Sequence, residues 1–530
     1  MKSSTSTDLL RLADVTLYNL PALRRSLRLS PRSGIHELLS EGFRTWETDL
    51  FSRLDGEFSL VFQSSGTRSI AARDPLGLRP LYYCRWKEKY HFARTIDELL
   101  ALPGFPKRPD LHALRDLLHQ GAPDFESTLY EGIFRVPPAH WMELTPQGKK
   151  LHRYWFPERI ETDYSLALHD AAERFRERLR QAMEKRLGPL EKTAFELSGG
   201  LDSSSLVALS LSEKGALRPS IYSLVFPGMD CDESFYIDAM EKQYHCTIKK
   251  IDPFKSSETV LGVERNFHYH PHWPQSITFA MYLPMLSRMR SEGKRILISG
   301  QGGDHLLGGS CYLLGDLLRR RKYSALLREL PGLYTAPFSV TPRCLLAGNR
   351  LLHRFKKRRN PPAHSRNTLF GLEQVSSPLK RHELSQLFSP AESALRDGNI
   401  FHSAREHFDL EYRHPFFDRE LVEFLLSLPP EYKYSRGWSK LLLRYALAEI
   451  LPAPILSRRD KAEFSSVLYR EIVASDLQLL RRKSRLIDAG LIEAGEVSPL
   501  LDDFECGAHR RILQLRKVLD LELWFRFHFS

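Results

Sequence analysis

Apolar and polar positions along the chain follow two rhythms, and the change between them divides it. Up to about residue 158 the apolar runs are short and bounded by turn residues. Phe58-Ser59-Leu60-Val61-Phe62 follows Asp55-Gly56, and Ser69-Ile70-Ala71-Ala72 leads into Arg73-Asp74-Pro75-Leu76-Gly77. Leu81-Tyr82-Tyr83-Cys84 and Lys89-Tyr90-His91-Phe92 come next. Such runs predict an antiparallel sheet, and Ile35 to Leu50 and Leu111 to Leu118 predict helices against it, an α+β arrangement. A linker with Pro157 and Asp163 leads into a long amphipathic helix, Ser165 to about Arg186. Beyond it Thr193 to Leu197, Pro219 to Phe226 and Arg295 to Ile298 read as buried strands separated by helical stretches. That order predicts a parallel, doubly wound α/β sheet with its site at the carboxyl ends of the strands. From about Cys311 the chain reads as mostly helical, with the basic segment Arg350 to Arg366 as a mobile loop around Asn360-Pro361-Pro362. No period of a repeat architecture is visible. The expected domains are residues 1–158 and 165–530.

Composition narrows the class without changing this picture. The 530 residues are 42% hydrophobic and 27% charged, an ordinary globular mix with room for two or three cores. No apolar run approaches the roughly 18 residues of a membrane span, and Met1 to Asp8 has no apolar signal region. Six cysteines without CxxC pairs argue against zinc or a disulfide framework and fit a reducing cytoplasm. The net charge of +12 is partly local, in Arg319 to Lys322 and Arg350 to Arg366. No aromatic-interleaved RNA motif accompanies these clusters, so they read as solvated or flexible basic segments and no nucleic acid is expected.

Candidate chemistry concentrates after the strands of the second half. Ser198-Gly199-Gly200-Leu201-Asp202-Ser203-Ser204-Ser205 turns from strand to a helix, Ser203 to Ser212, with apolar Leu206, Val207, Leu209 and Leu211. Two glycines let backbone approach a ligand, and hydroxyls with free N–H groups at a helix start favour an anion. The Gly-Lys-Ser/Thr ending of a Walker loop is lacking. After the third strand comes Ser299-Gly300-Gln301-Gly302-Gly303-Asp304-His305. Asp202 and Asp304 both fall just past strand ends of one predicted sheet, and paired carboxylates are hard oxygen ligands of the kind Mg²⁺ takes alongside phosphate. Further on stand Tyr412-Arg413-His414-Pro415-Phe416-Phe417-Asp418, then Lys440 and Arg444 at i,i+4, and Ser457-Arg458-Arg459-Asp460-Lys461-Ala462-Glu463-Phe464. Lys440 and Arg444 are equally consistent with a solvated helix face. His305 reads as a base for an attacking amine or, more blandly, as a helix-start residue pointing away.

These motifs carry a resemblance. The Ser198 to Ser204 turn resembles the pyrophosphate loop of ATP pyrophosphatases, and with the Asp304 motif it resembles the asparagine synthetases and β-lactam synthetases over roughly residues 35–470. Leu54 to Phe58, Arg73 to Tyr82 and Val136 to His140 are similar to the glutaminase-type (Ntn) domain of asparagine synthetases. That family's active glutaminases begin with a catalytic cysteine; here Met1 is followed by Lys2, and the first cysteine is Cys84. Neither Ser3 nor Ser4 has a visible base or oxyanion hole to replace a thiolate. The implied architecture is α/β plus α+β: a degenerate glutaminase-like antiparallel-sheet domain, then an ATP-pyrophosphatase-type parallel-sheet synthetase domain with a helical C-terminal part.

The resemblance implies ATP held by Leu197, Ser198, Gly199, Gly200, Asp202, Ser203, Ser204, Val225, Ser299 and Gly300, with Mg²⁺ on Asp202 and Asp304. Lys461, Gln301 and His305 form the implied catalytic set, Lys461 facing an acyl-adenylate. Gln301 stands where asparagine synthetases have Glu and β-lactam synthetases a catalytic Tyr, and a Gln takes no proton. His305 stands where Glu is usual. A degenerate glutaminase domain together with Arg459-Asp460-Lys461-Ala462-Glu463-Phe464 resembles the lasso peptide cyclases, which close a macrolactam in a precursor peptide. That likeness implies adenylation of an Asp or Glu side chain, attack by the peptide's N-terminal amine, and a leader-binding protein and leader peptidase as partners. Small-molecule amide ligation is the alternative, and an inactive peptide- or RNA-binding module the alternative of another class.

Overall fold

The computed structural model describes residues 9–63, 68–121, 123–212, 218–255, 279–310, 312–335, 368–389, 400–507 and 511–529; the basic stretch Arg350 to Arg366 lies outside them. The first half supplies β1 (Leu9–Leu17), β2 (Gly56–Gln63), β3 (Ser69–Arg73), β4 (Tyr82–Trp86), β5 (Lys89–Ala93), β6 (Ile133–Arg135), β7 (His140–Thr145) and β8 (Gly148–Arg153). They form an antiparallel sheet in the order β1-β2-β3-β7-β8 and a smaller one in the order β5-β4-β6. Along β2, Phe58, Leu60 and Phe62 share a core with Leu38, Phe43 and Phe51 from the helical residues before it. Val61 points the other way, into a core with Met142, Leu144 and Tyr83. Both faces are covered, which is why this strand reads as an apolar run and not as an alternation.

The Arg73 to Pro80 motif is a self-bracing turn. The Asp74 carboxylate accepts the backbone N–H groups of Leu76, Leu78 and Arg79 at 3.1, 3.0 and 2.9 Å. Buried Arg73 donates to the carbonyls of Arg79, Val136 and Gly77 at 2.8, 3.1 and 2.6 Å. His140 ends the Val136 to His140 segment with its Nδ1 donating to the Pro138 carbonyl at 2.6 Å. Burial pushes its imidazole down from 6.5 to about 4. The fold therefore holds His140 neutral, and its contribution to stability is complete above pH 6.5 and is lost as pH falls toward 4. By pH 5 that loss amounts to about 2 kcal/mol. Urea unfolding at pH 7 and pH 5 should show the parent losing this much more than His140→Phe; equal losses in both proteins would contradict the assignment.

The second half supplies β9 (Thr193–Glu196), β10 (Ser220–Leu224), β11 (Ile248–Ile251), β12 (Ile296–Ile298) and β13 (Glu411–Arg413). All four neighbouring pairs are parallel, in the order β11-β10-β9-β12-β13. Phe195 and Ile298 face a core with Phe175 and Leu179 of the Leu168–Arg186 helix, whereas Ala194, Leu297 and Tyr222 face Leu286, Met289 and Leu410. A sheet buried on both faces accounts for the near-continuous apolar strands. The order reverses on either side of β9, so the loops after β9 and β12 part at a switch point, where doubly wound sheets place their ligands.

The C-terminal helices do not pack against this sheet alone. Leu468, Ile472, Leu501, Leu519 and Trp524 share a core with Tyr82, Cys84, Leu114 and Ile133 of the first half. That core crosses the boundary expected between residues 158 and 165. Ion pairs fasten the halves nearer the site: Arg79 to Glu411 at 2.6 Å, and Arg405 to both oxygens of Asp14 at 2.7 Å. No helix among the described residues is long and apolar enough to cross a membrane.

Candidate active site

The site begins where β9 ends. Leu197 continues the strand, its N–H donating to the Tyr222 carbonyl at 2.9 Å and its carbonyl accepting from the Ser223 hydroxyl at 2.5 Å. Gly199 then takes a left-handed φ of 73°. A Cβ there would lie 3.0 Å from the Tyr236 Cβ, so the turn needs glycine for its angle and for its space. The helix runs Leu201–Ser212, one residue pair longer at its start than the apolar pattern gave, because Asp202 opens its first turn. The Ser203 hydroxyl accepts the Ser198 N–H at 3.1 Å and meets the Ser198 hydroxyl at 3.0 Å, closing the loop on itself. Ser204 Oγ and Asp202 Oδ1 are buried without a hydrogen-bond partner.

The second motif lies directly on the first. Strand register pairs Ile298 with Phe195, so the two loops leave the sheet side by side. A Cβ on Gly300 would stand 2.6 Å from the Ser203 nitrogen, and one on Gly303 2.3 Å from the Asp202 Cγ. The glycines are there because the loop has no room for anything larger against the start of the helix. The short helix Gly303–Leu307 then presents Asp304 beside Asp202.

Two lysines complete the constellation. The Lys440 ammonium lies 2.5 Å from Asp202 Oδ2 and 2.7 Å from Asp304 Oδ1. Lys461 pairs with Asp304 Oδ2. The lysines differ in freedom: the Lys440 side chain is 10% exposed and that of Lys461 79%. Burial works against the Lys440 charge, but Asp202 and Asp304 overcome it and hold the ammonium above the ordinary lysine range. Burial also opposes ionisation of Asp304, yet Lys440 and Lys461 hold its carboxyl well below the usual aspartate range. Burial pushes the Asp202 carboxyl up, with Lys440 opposing and Asp304 adding to the rise.

Here the structure corrects a reading. Lys440 and Arg444 do not lie on a solvated helix face. Lys440 precedes the Leu441–Ala446 helix with a left-handed φ of 56°, which turns it out of the helical register and into the site. Arg444 is buried and donates to the carbonyls of Ser439 at 2.8 Å, Arg458 at 2.6 Å and Leu456. It thereby ties the Lys440 turn to the segment that carries Lys461.

The other expected residues are distributed around this centre. Val225 follows β10, buried, its N–H donating to the Ile251 carbonyl at 3.0 Å. Ser299 and Gly300 begin the second loop, and Gln301 is exposed beyond them, its backbone N–H donating to the Ser299 hydroxyl at 3.3 Å. The His305 ring packs edge-on against Phe417 with centroids 5.5 Å apart. Glu233, unremarked in the sequence, pairs with Arg458 of the Ser457 to Phe464 segment beside the Gly199 turn; an acidic residue opening the Ser234–Tyr244 helix was the available signal.

The donor set fits a triphosphate and a hard divalent cation. Two carboxylates from adjacent loops, with no third His, Cys, Asp or Glu grouped for a metal among the described residues, suit an ion that takes its remaining ligands from phosphate and water. The two lysines balance the two aspartates in charge, so an incoming polyanion meets a helix start, a buried cation and an exposed one, not net negative charge.

The asparagine synthase family model matches residues 174–526, and the glutamine amidotransferase domain model matches residues 6–155. Asparagine synthetase [glutamine-hydrolyzing] 3 of Bacillus subtilis (strain 168) is 23% identical over 535 residues, covering 92% of this chain and 80% of that protein. Asparagine synthetase [glutamine-hydrolyzing] 1 of the same organism is 23% identical, covering 80% of this chain and 70% of that protein. Amidase chry2 of Gibberella zeae is 27% identical over 311 residues, 54% of this chain and 45% of that protein.

Proposed function

The chain belongs to the asparagine synthase family, as an ATP-dependent amide-forming ligase of that type, and on that premise we propose that it joins a carboxylate to an amine not drawn from glutamine, releasing AMP and pyrophosphate. The carrying observation is the meeting of Asp202, Asp304, Lys440 and Lys461 at the switch point of the parallel sheet. A substrate carboxylate oxygen attacks the ATP α-phosphorus, and the bond to the β-phosphate oxygen breaks. The N–H groups and hydroxyls of Ser198 to Ser204 receive the departing pyrophosphate at the helix start. Asp202 and Asp304 would hold Mg²⁺, which when bound offsets phosphate charge. Lys461, on an exposed arm, reaches from Asp304 to the developing charge on the acyl-adenylate. An amine then attacks the acyl carbon, loses a proton, and expels AMP.

The amine's source is read from the N-terminal half. The one cysteine among residues 1–158, Cys84, lies fully buried in β4, and burial pushes the thiol up to about 11. At neutral pH such a thiol supplies almost no thiolate for attack on glutamine. In the finer reading the amine is the N-terminus of a precursor peptide and the acid an Asp or Glu side chain of the same peptide, with a leader-binding protein and a leader peptidase as partners. The small-molecule reading, an amide made on a free amino acid, is favoured by the named activity of the Bacillus relatives.

The test offers the enzyme ATP and Mg²⁺ with a linear peptide bearing a free N-terminus and an internal Asp or Glu, or with L-aspartate and ammonium, each with glutamine present. Loss of one water from the peptide, with no glutamate released, is the expected result. Asparagine formation without peptide cyclisation would establish the small-molecule reading instead. Glutamate release keeping pace with product would contradict independence from glutamine.

A further inference from the structure

Arg458 stands outside the set of residues that meet ATP or metal in the scheme above, yet it is almost fully buried between the two loops that matter most. Its Nη1 donates to the Gly199 carbonyl at 3.3 Å and to the Glu233 carboxylate. Its Nε donates to the backbone and side-chain oxygens of Asp460, each at 3.2 Å. Its guanidinium lies over the Tyr236 ring, 4.1 Å from the centroid. One planar cation therefore holds both the glycine turn after β9 and the residue immediately before Lys461.

The contact to Gly199 has a directional effect. In a planar trans peptide the C=O and the following N–H point to opposite sides. With the Gly199 carbonyl turned to Arg458, the Gly200 N–H is turned away from it, toward the Ser198 hydroxyl at 3.4 Å. That hydroxyl belongs to the closed serine pair at the helix start. The left-handed Gly199, with no side chain to fix its orientation, would otherwise let this peptide plane rotate. Glu233 keeps Arg458 in place: its side chain is 13% exposed and that of Arg458 6%, so neither ion is left to water to compensate.

We infer that Arg458 is a positioning residue that orients the Gly200 N–H toward a bound pyrophosphate group and fixes the base of the Lys461 arm in the same act. This rests on the reading of the Ser198 to Ser204 loop as the pyrophosphate site. Lysine cannot do the same work, because a single ammonium lacks the fork that spans Gly199, Glu233 and Asp460 at once.

The experiment measures binding of inorganic pyrophosphate with Mg²⁺, and separately of AMP, to the full-length parent, Arg458→Lys and Arg458→Gln by titration calorimetry, each checked by thermal melting. AMP lacks the groups that would meet the Gly200 N–H. Expected is a weakening of pyrophosphate binding by roughly tenfold or more in both variants, with AMP binding within about twofold of the parent. A parallel loss for both ligands would mark Arg458 as a brace of the fold only and overturn the inference. Unchanged pyrophosphate binding in the folded Arg458→Lys protein would overturn it too. A parent that binds no pyrophosphate at all would instead remove the reading of the loop on which the inference stands.

Discussion

Replacing Asp202 by alanine is expected to lower AMP formation at least about a thousandfold, about 4 kcal/mol in the barrier, while the protein stays folded. The fold survives because the helix is held by the burial of Leu206, Val207 and Leu209, not by the carboxylate. Lys440 keeps Asp304 at 2.7 Å, so no buried ammonium is left unpaired. Activity does not survive, because one of the two hard oxygen donors is gone and Asp304 alone, its side chain 47% exposed, makes a poor site for a divalent cation. Asp202→Asn should behave almost as badly, since the amide keeps the shape and loses the charge. Radiolabelled AMP release with a melting curve for each variant checks this; near-parental turnover in folded Asp202→Ala would refute the role.

Lys461→Ala should fall about a hundred- to a thousandfold in turnover, or roughly 3–4 kcal/mol, with the KM for ATP changed by less than about threefold. The separation follows from exposure. Lys461 rests on the rim against Asp304, and in the proposed reading the glycine turn and the helix start hold the phosphates in the ground state. A cation on a free arm acts when charge develops and contributes little before that. Lys440→Ala should behave differently, since it removes the buried cation between two carboxylates and leaves Asp202 unpaired. A rise in KM as large as the fall in kcat for Lys461→Ala would show that this lysine binds ATP and does not serve the reaction step.

The sequence made β9, its glycine turn and the following helix legible because each obeys a local rule: apolar strand, small-residue turn, apolar helix. It concealed elements whose rules are not local. In β1 the alternation is broken by a bulge between Leu10 and Leu12, which shifts the register. In β13 only Tyr412 is apolar; Glu411 and Arg413 flank it, and Glu411 is satisfied by Arg79 from the other half of the chain. The adjacent charges Lys249 and Lys250 in the middle of β11, Ile248 to Ile251, hide an edge strand in the same way. At the site, Asp202, Asp304 and Lys461 were readable from motif context. Lys440 was not, because its partners come from residues about 140 and 240 positions away and its left-handed backbone breaks the helical spacing that suggested a solvated face. The C-terminal helices were readable as helices, but nothing in their spacing says that Trp524 packs edge-on to Tyr130, 5.7 Å away, in the first half.

The central claim is that ATP is cleaved between its α- and β-phosphates at the loop after β9. Incubating the enzyme with α-labelled ATP, Mg²⁺ and the carboxylate and amine that yield product, and resolving the labelled nucleotide, tests it most directly. The account predicts labelled AMP in one-to-one proportion with pyrophosphate and amide product; labelled ADP in that proportion would mean an acyl phosphate route and contradict it.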